Sequence, residues 1–149
     1  MTKDKLKQIE RYRYLGNVYP QCNAEWYGIV LSALKEIDKR IYPWYMPRFM
    51  KLFFYWLHFY SPWCIKKRVQ GKFYYYEISQ IKEKFGALRI YDCDEDIYEK
   101  AHEESWNTCE MCGSKENLGS TMGWIKRLCE KCAKNQNNKW NIDKLNKKA

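Results

Sequence analysis

Two Cys-x-x-Cys pairs, Cys109/Cys112 and Cys129/Cys132, stand with sixteen residues between them in the stretch TCEMCGSKENLGSTMGWIKRLCEKC, Thr108 to Cys132. A structural zinc takes four soft or borderline ligands in a tetrahedron, and two such turns supply two thiolates each. The spacing falls within the range read as a zinc site. Gly113, directly after Cys112, suits a knuckle whose backbone bends tightly to aim its amides at the sulfurs. Lys126, Arg127 and Lys131 can offset part of the negative charge of four thiolates. Such a site would close a loop of about two dozen residues that has too few apolar groups to fold alone. Trp124 and Leu128 are expected to pack the knuckles onto the rest of the chain.

Metal-dependent catalysis fits less well. A catalytic zinc keeps an open position beside three protein ligands, whereas four cysteines close the shell. A deaminase needs His-x-Glu or Cys-x-Glu upstream of Pro-Cys-x-x-Cys, and neither pair here follows a proline. His102-Glu103-Glu104 lacks the second histidine of His-Glu-x-x-His. His102 lies seven residues before Cys109, where a histidine-dependent nuclease could find its base, but the rest of that constellation is missing. No complete acid, base and nucleophile set can be named, so no catalytic residue is assigned and a nuclease ranks third among the functional readings.

Other groups could bind rather than react. Lys66, Lys67, Arg68 and Lys72, with Lys3, Lys5, Lys7, Arg11 and Arg13, could contact phosphates while exposed Tyr or Trp stack on unpaired bases. The alternative is a solvated basic surface over core aromatics. Lys82, Lys84 and Arg89 would form a small cationic cluster near a hairpin end, where Gly86 permits the turn. Asp92, Asp94, Glu95, Asp96 and Glu99 could bind a divalent cation, though an acidic helix N-terminus explains them more cheaply. Cys22, Cys64 and Cys93 read as small buried hydrophobes rather than reactive thiols.

Periodicity supplies the elements that would position these groups. Residues 3–14 read as a basic helix or arm, and Gly16 to Asn23 as a loop. Trp26, Ile29, Val30, Ala33, Leu34, Ile37 and Ile41 form one helical stripe, with Asn23 as N-cap. Pro43 and Pro47 break the chain before a second, aromatic helix from Phe49 to Phe59 that ends ahead of Ser61-Pro62. Ile65 to Lys72 reads as a basic connector. Alternation from Phe73 to Tyr91 then predicts a two-stranded antiparallel hairpin turning near Lys84 to Gly86. Asp94 or Asp96 caps a helix whose inner side is Ile97, Tyr98, Ala101, Ser105 and Trp106, with its acids facing water.

The chain has 149 residues, 17% of them aromatic, which argues against disorder and for one compact core plus a zinc module. Its net charge of +9 suits a polyanion or an acidic protein. Residues 1–75 hold fourteen Lys/Arg against five Asp/Glu, so that charge lies in the first half. The charged start MTKDKLKQIERYRY lacks the apolar core of a secretory signal, so a cytoplasmic location is expected. The apolar run FMKLFFYWLHFY falls short of the roughly 20 residues a membrane span needs. Seven cysteines in a reducing compartment suit metal ligation better than disulfides.

The motif order NAEWYGIVLSALKEID, IKEKFGALRIY, TCEMCG and WIKRLCEKC, across residues 22–132, resembles a family of small uncharacterised proteins of bacteria and bacteriophages. In that family a Lys-Glu-Lys-Phe-Gly-x-Leu-Arg hairpin precedes an acidic helix and a C-terminal zinc finger. The resemblance implies zinc at Cys109, Cys112, Cys129 and Cys132 and a phage or mobile-element setting; it implies no reaction.

The expectation is an α+β fold with amphipathic helices packed on a small antiparallel hairpin and a treble-clef-like or ribbon-like zinc module. Residues 1–107 would form the body, 108–140 the zinc module and 141–149 a flexible tail. The expected function is that of a non-enzymatic phage-type accessory protein binding nucleic acid through Lys66, Lys67, Arg68, Lys72, Lys82, Lys84 and Arg89. The alternative is an inhibitor or adaptor that binds a host protein through the aromatic segment 49–63. No membrane partner is expected, and the residues identify no small-molecule substrate.

Overall fold

A computed structural model of the protein describes residues 2–42, 44–60, 67–69, 72–74, 77–136 and 140–142. In chain order the elements are α1 (Thr2–Glu10), β1 (Pro20–Gln21), α2 (Tyr27–Ile41), α3 (Arg48–Tyr60), β2 (Lys67–Val69), β3 (Lys72–Tyr74), β4 (Ile81–Lys84), β5 (Ala87–Ile90), α4 (Glu95–Trp106), β6 (Leu118–Thr121), β7 (Arg127–Cys129), α5 (Glu130–Asn135) and β8 (Trp140–Ile142). The α+β character expected from the periodicity is present.

The main core joins three helices to one sheet. The α2 stripe behaves as its spacing requires: Ile29, Val30, Ala33, Leu34 and Ile37 are all buried. They meet Ile9 of α1, Ile97 and Ala101 of α4, and Ile81, Leu88 and Ile90 of the sheet. A 3₁₀ turn at Ala24–Trp26 leads into α2. Asn23 precedes that turn but its side chain caps nothing; Trp26 holds the N-cap position of α2 instead. The Asn23 amide is drawn away to Glu110, 87 residues on, donating at 2.6 Å.

The central sheet has three strands, not two, in the order β1-β4-β5. β4 and β5 pair antiparallel from Ile81↔Ile90 to Lys84↔Ala87, leaving Phe85-Gly86 as a two-residue turn. β1 adds to the other side of β4 in parallel, through Pro20↔Ile81 and Gln21↔Lys82. The segment read as a loop therefore supplies an edge strand, a place where proline's missing N–H is tolerated. Upstream, Gly16 bridges Ile78 at φ +108, where any Cβ would meet the Ile78 carbonyl oxygen at 2.6 Å.

The stretch before β4 also differs from its reading as one continuous strand. Lys67–Val69 and Lys72–Tyr74 pair with each other as a separate hairpin, so the basic connector is itself paired. Tyr75 and Tyr76 lie outside the described residues.

On the edge of β5 away from β4, the Leu88 N–H donates at 2.9 Å to Ser105 Oγ of α4, whose hydroxyl donates in turn to the His102 carbonyl. The helix thus satisfies a buried amide that would otherwise need another strand.

The aromatic helix α3 docks on a 3₁₀ turn at Arg13–Leu15 and on α2 rather than on the hairpin. Lys51 is 8% exposed, and its Nζ donates to both oxygens of Asp38 in α2 at 2.8 and 2.7 Å. Tyr14 donates its hydroxyl to the same carboxylate at 2.9 Å. The ammonium sits 5.6 and 5.3 Å from the Tyr14 and Tyr42 ring centres. A buried lysine needs such a full set of partners, since a lone charge there would cost several kcal/mol. The face of α3 away from the body exposes Phe49, Met50, Phe53 and Trp56. No helix among the described residues is long and apolar enough to cross a membrane.

Candidate functional site

A second, smaller apolar cluster of Leu118, Leu128 and Ala133 surrounds the buried Cys109 and Cys129. Local sequence builds its geometry. Gly113 takes φ +73, and its N–H donates to the Cys109 carbonyl at 2.9 Å, closing a tight turn around the first cysteine pair. β6 and β7 form a hairpin registered Leu118↔Cys129, and β8 joins β6 on its other side. That strand takes Asn141 and Ile142, the first residues assigned to the tail, into the sheet; the residues beyond lie outside those described. Cys129 is the extended N-cap of α5, which places Cys132 in the first helical turn.

Among the described residues, Cys109, Cys112, Cys129 and Cys132 form one group that could hold a metal ion, their four Sγ atoms lying within 4.8 Å of one another. A tetrahedron with Zn–S near 2.3 Å has sulfurs about 3.8 Å apart, and Cys112 Sγ to Cys129 Sγ measures 3.6 Å. The Cys129 N–H also donates to Cys109 Sγ at 3.2 Å, the kind of amide bond that steadies a thiolate. Burial first, and the neighbouring sulfurs after it, push the Cys132 thiol up; burial also raises Cys112, against hydrogen bonds from the Ser114 backbone and Cys132 that lower it. Burial acts the same way on Cys129, but the Cys132 backbone N–H and the other sulfurs outweigh it and lower that thiol. Sulfurs this close resist joint ionisation, and a divalent cation relieves that repulsion.

Trp26 ties the cysteine group to the main core. Fully buried, it donates its indole N–H to the Thr108 carbonyl at 3.2 Å, next to Cys109. Arg127 adds a second tie: its Nε donates to the Trp106 carbonyl at 2.6 Å and its guanidinium lies 4.5 Å from the Trp106 ring centre. Burial lowers its pKa. Leu128 is buried in the small core as expected, but Trp124 packs nothing onto the body; it is 79% exposed.

Beside the cysteines stands the cationic hairpin. Lys82 faces Arg89 directly across β4 and β5, and Lys84 follows on the same face. Arg89 donates to the Tyr98 hydroxyl and lies 5.6 Å from that ring's centre, while Lys82 Nζ sits 5.0 Å over Tyr91. The sequence-assigned cluster of Lys82, Lys84 and Arg89 is thus brought together. Lys67 and Arg68 lie in β2 and Lys72 in β3, but their side chains, like all of Lys66 and Cys64, fall outside the described residues.

Several of the remaining candidates have contacts of their own. Asp94 and Asp96 hold Arg40, at 3.0 and 2.5 Å. The hydrogen bond to Arg40 keeps Asp96 below the usual carboxylate range. His102 stacks between Tyr98 and Trp106, 5.7 and 6.4 Å from their ring centres. Burial, aided by Glu110, pushes Cys22 up to about 12 and, aided by Asp92, Cys93 to about 11, so neither is poised as a nucleophile. Burial and Glu83 likewise raise Glu110, which stands between Cys109 and Cys112 in the chain.

What the sequence reading missed is the meeting of two turns, Phe85-Gly86 and Met122 to Ile125. A phenylalanine before glycine in a two-residue loop breaks the usual turn chemistry, and that was the available signal. No family model, no curated protein and no solved structure matches the chain.

Proposed function

We propose that the protein is a non-enzymatic, zinc-stabilised accessory factor that binds nucleic acid through a basic surface. The observation that carries this reading is the placement of Lys82, Lys84 and Arg89 on one face of the β4–β5 hairpin. The hairpin's turn rests on the cysteine-bearing module next to Lys126, and contacts of this kind between cations and phosphates are the main source of affinity for nucleic acid. Zinc would be held by Cys109, Cys112, Cys129 and Cys132, where it supplies fold stability. Four protein thiolates leave it no open position for substrate. A tight turn, a hairpin and a helix that begins at the second cysteine pair support a treble-clef-like arrangement. The phage or mobile-element setting rests on motif order alone. Binding to labelled single- and double-stranded DNA and RNA across a salt series tests this reading.

A second reading, a protein-binding inhibitor or adaptor, is favoured by the aromatic surface around α3. Trp44 is 95% exposed and Phe49 71%, with Tyr45 and Phe53 also exposed. An apolar surface of this kind predicts association that salt does not weaken.

A further inference from the structure

Two turns far apart in the chain meet at one cleft. Gly86 lets them approach, since a Cβ there would lie 3.2 Å from the Arg127 backbone nitrogen, closer than an ordinary contact, with Ile125 Cγ2 next to it at 3.5 Å. Between the turns is a space of about 350 Å³, walled by Lys82, Glu83, Lys84 and Phe85 on one side and Trp124 and Ile125 on the other.

The residue at the tip of the first turn is poorly chosen for stability. Phe85 takes φ +56 and Gly86 φ +76, the pattern of a type I′ turn, which favours Asn-Gly or Asp-Gly. A bulky side chain at positive φ is an outlier, and backbone strain of this sort gathers at ligand clamps. Burial does not compensate for it, because the ring is 60% exposed.

The opposite wall is held in place. Thr121 donates its hydroxyl to the Trp124 carbonyl at 2.6 Å and accepts the Lys126 N–H at 2.8 Å, so the loop backbone is pinned where it presents Trp124 outward. The cleft mouth is cationic: Lys84 Nζ lies 5.4 Å from the Phe85 ring centre and Lys82 stands one pleat away. Glu83, the acid in the wall, accepts the Gly86 N–H at 2.7 Å.

Resting on the nucleic-acid reading above, we propose that this cleft takes an unpaired base of a single-stranded nucleic acid, stacked on Phe85 and Trp124, with the neighbouring phosphates on Lys82 and Lys84. A duplex keeps its base faces stacked inside and offers nothing to these rings, whereas a single strand offers both a π-face and a phosphate at every nucleotide.

The test is fluorescence anisotropy with a labelled oligothymidylate and with a duplex, using the zinc-loaded full chain. Wild type, Phe85→Asn and Trp124→Ala are compared at fixed salt, with melting curves of each. The single strand should bind wild type at least tenfold more tightly than the duplex, and each variant should lose about tenfold for the single strand while keeping its duplex affinity. Phe85→Asn should melt no lower than wild type, because asparagine suits the turn; loss of binding then cannot be loss of fold. Unchanged single-strand affinity in both variants, or a preference for duplex, would overturn the cleft while leaving the cationic surface standing. Failure of wild type to bind any nucleic acid would overturn both.

Discussion

Gly86, in the turn of the central hairpin, lies against the backbone of Arg127 in the next hairpin: a Cβ on Gly86 would stand 3.2 Å from the Arg127 nitrogen. One residue therefore serves two ends. Its φ of +76 closes the β4–β5 turn, and its missing side chain lets the cysteine-bearing module seat against that turn.

Gly86→Ala should consequently cost more than a turn glycine alone, about 1–3 kcal/mol from positive φ with a close approach added. For a chain of this size each kcal/mol lowers Tm by a few degrees. A thermal melt showing no change would contradict the account of this contact.

Alkaline stability should follow the Lys51 latch. Burial first, then the hydrogen bond and charge of Asp38, raise the Tyr14 pKa above its ordinary value of 10.0, and burial with Asp38 pushes Tyr42 up to about 12. Both phenols are held neutral in the folded state, so the folded chain retains protons that the unfolded chain loses above pH 10. Stability from these groups is fully present below pH 10 and falls as pH rises toward about 12. Melting curves across this range should show that decline, shallower in the Tyr14→Phe/Tyr42→Phe double variant. Parallel declines in the two proteins would show that these tyrosines are not responsible.

Removing a ligand from the cysteine group should release the metal. Cys112→Ser is expected to lower zinc content and to expose the C-terminal third to proteolysis, and wild type should release zinc as pH falls and the thiols regain protons. Zinc content is read by elemental analysis beside limited proteolysis. A zinc-free wild type, or a variant with unchanged melting and digestion, would contradict a structural site.

Much of this was legible in the residues because it is local. The α2 stripe has one period and one buried face, and the Lys84-to-Gly86 turn carries its own glycine. The four cysteines come together as their spacing suggests. What was hidden depends on partners distant in sequence. Nothing near Pro20 announces that it will pair with Ile81, and the two-residue β1 is too short to show alternation. Asn23 looked like a cap until Glu110 was available to take its amide. Large apolar rings are usually buried, which makes Trp124 look like an anchor in the sequence, yet its loop turns outward and the anchoring falls to Trp26 and Arg127. Ser105, placed on the inner side of α4 by period alone, is there to receive the Leu88 N–H.

The central claim is a phosphate-binding surface built on Lys82, Lys84 and Arg89, and its most direct test is the affinity for single-stranded DNA measured from low to moderate salt. Three phosphate contacts predict a plot of log affinity against log salt with a slope of about −2, reduced by about 0.7 for each cation removed. Lys82→Glu and Lys84→Glu together should flatten that slope and weaken binding, with the melting temperature little changed. Binding that is absent at low salt, or an affinity indifferent to salt and to both substitutions, would contradict the account.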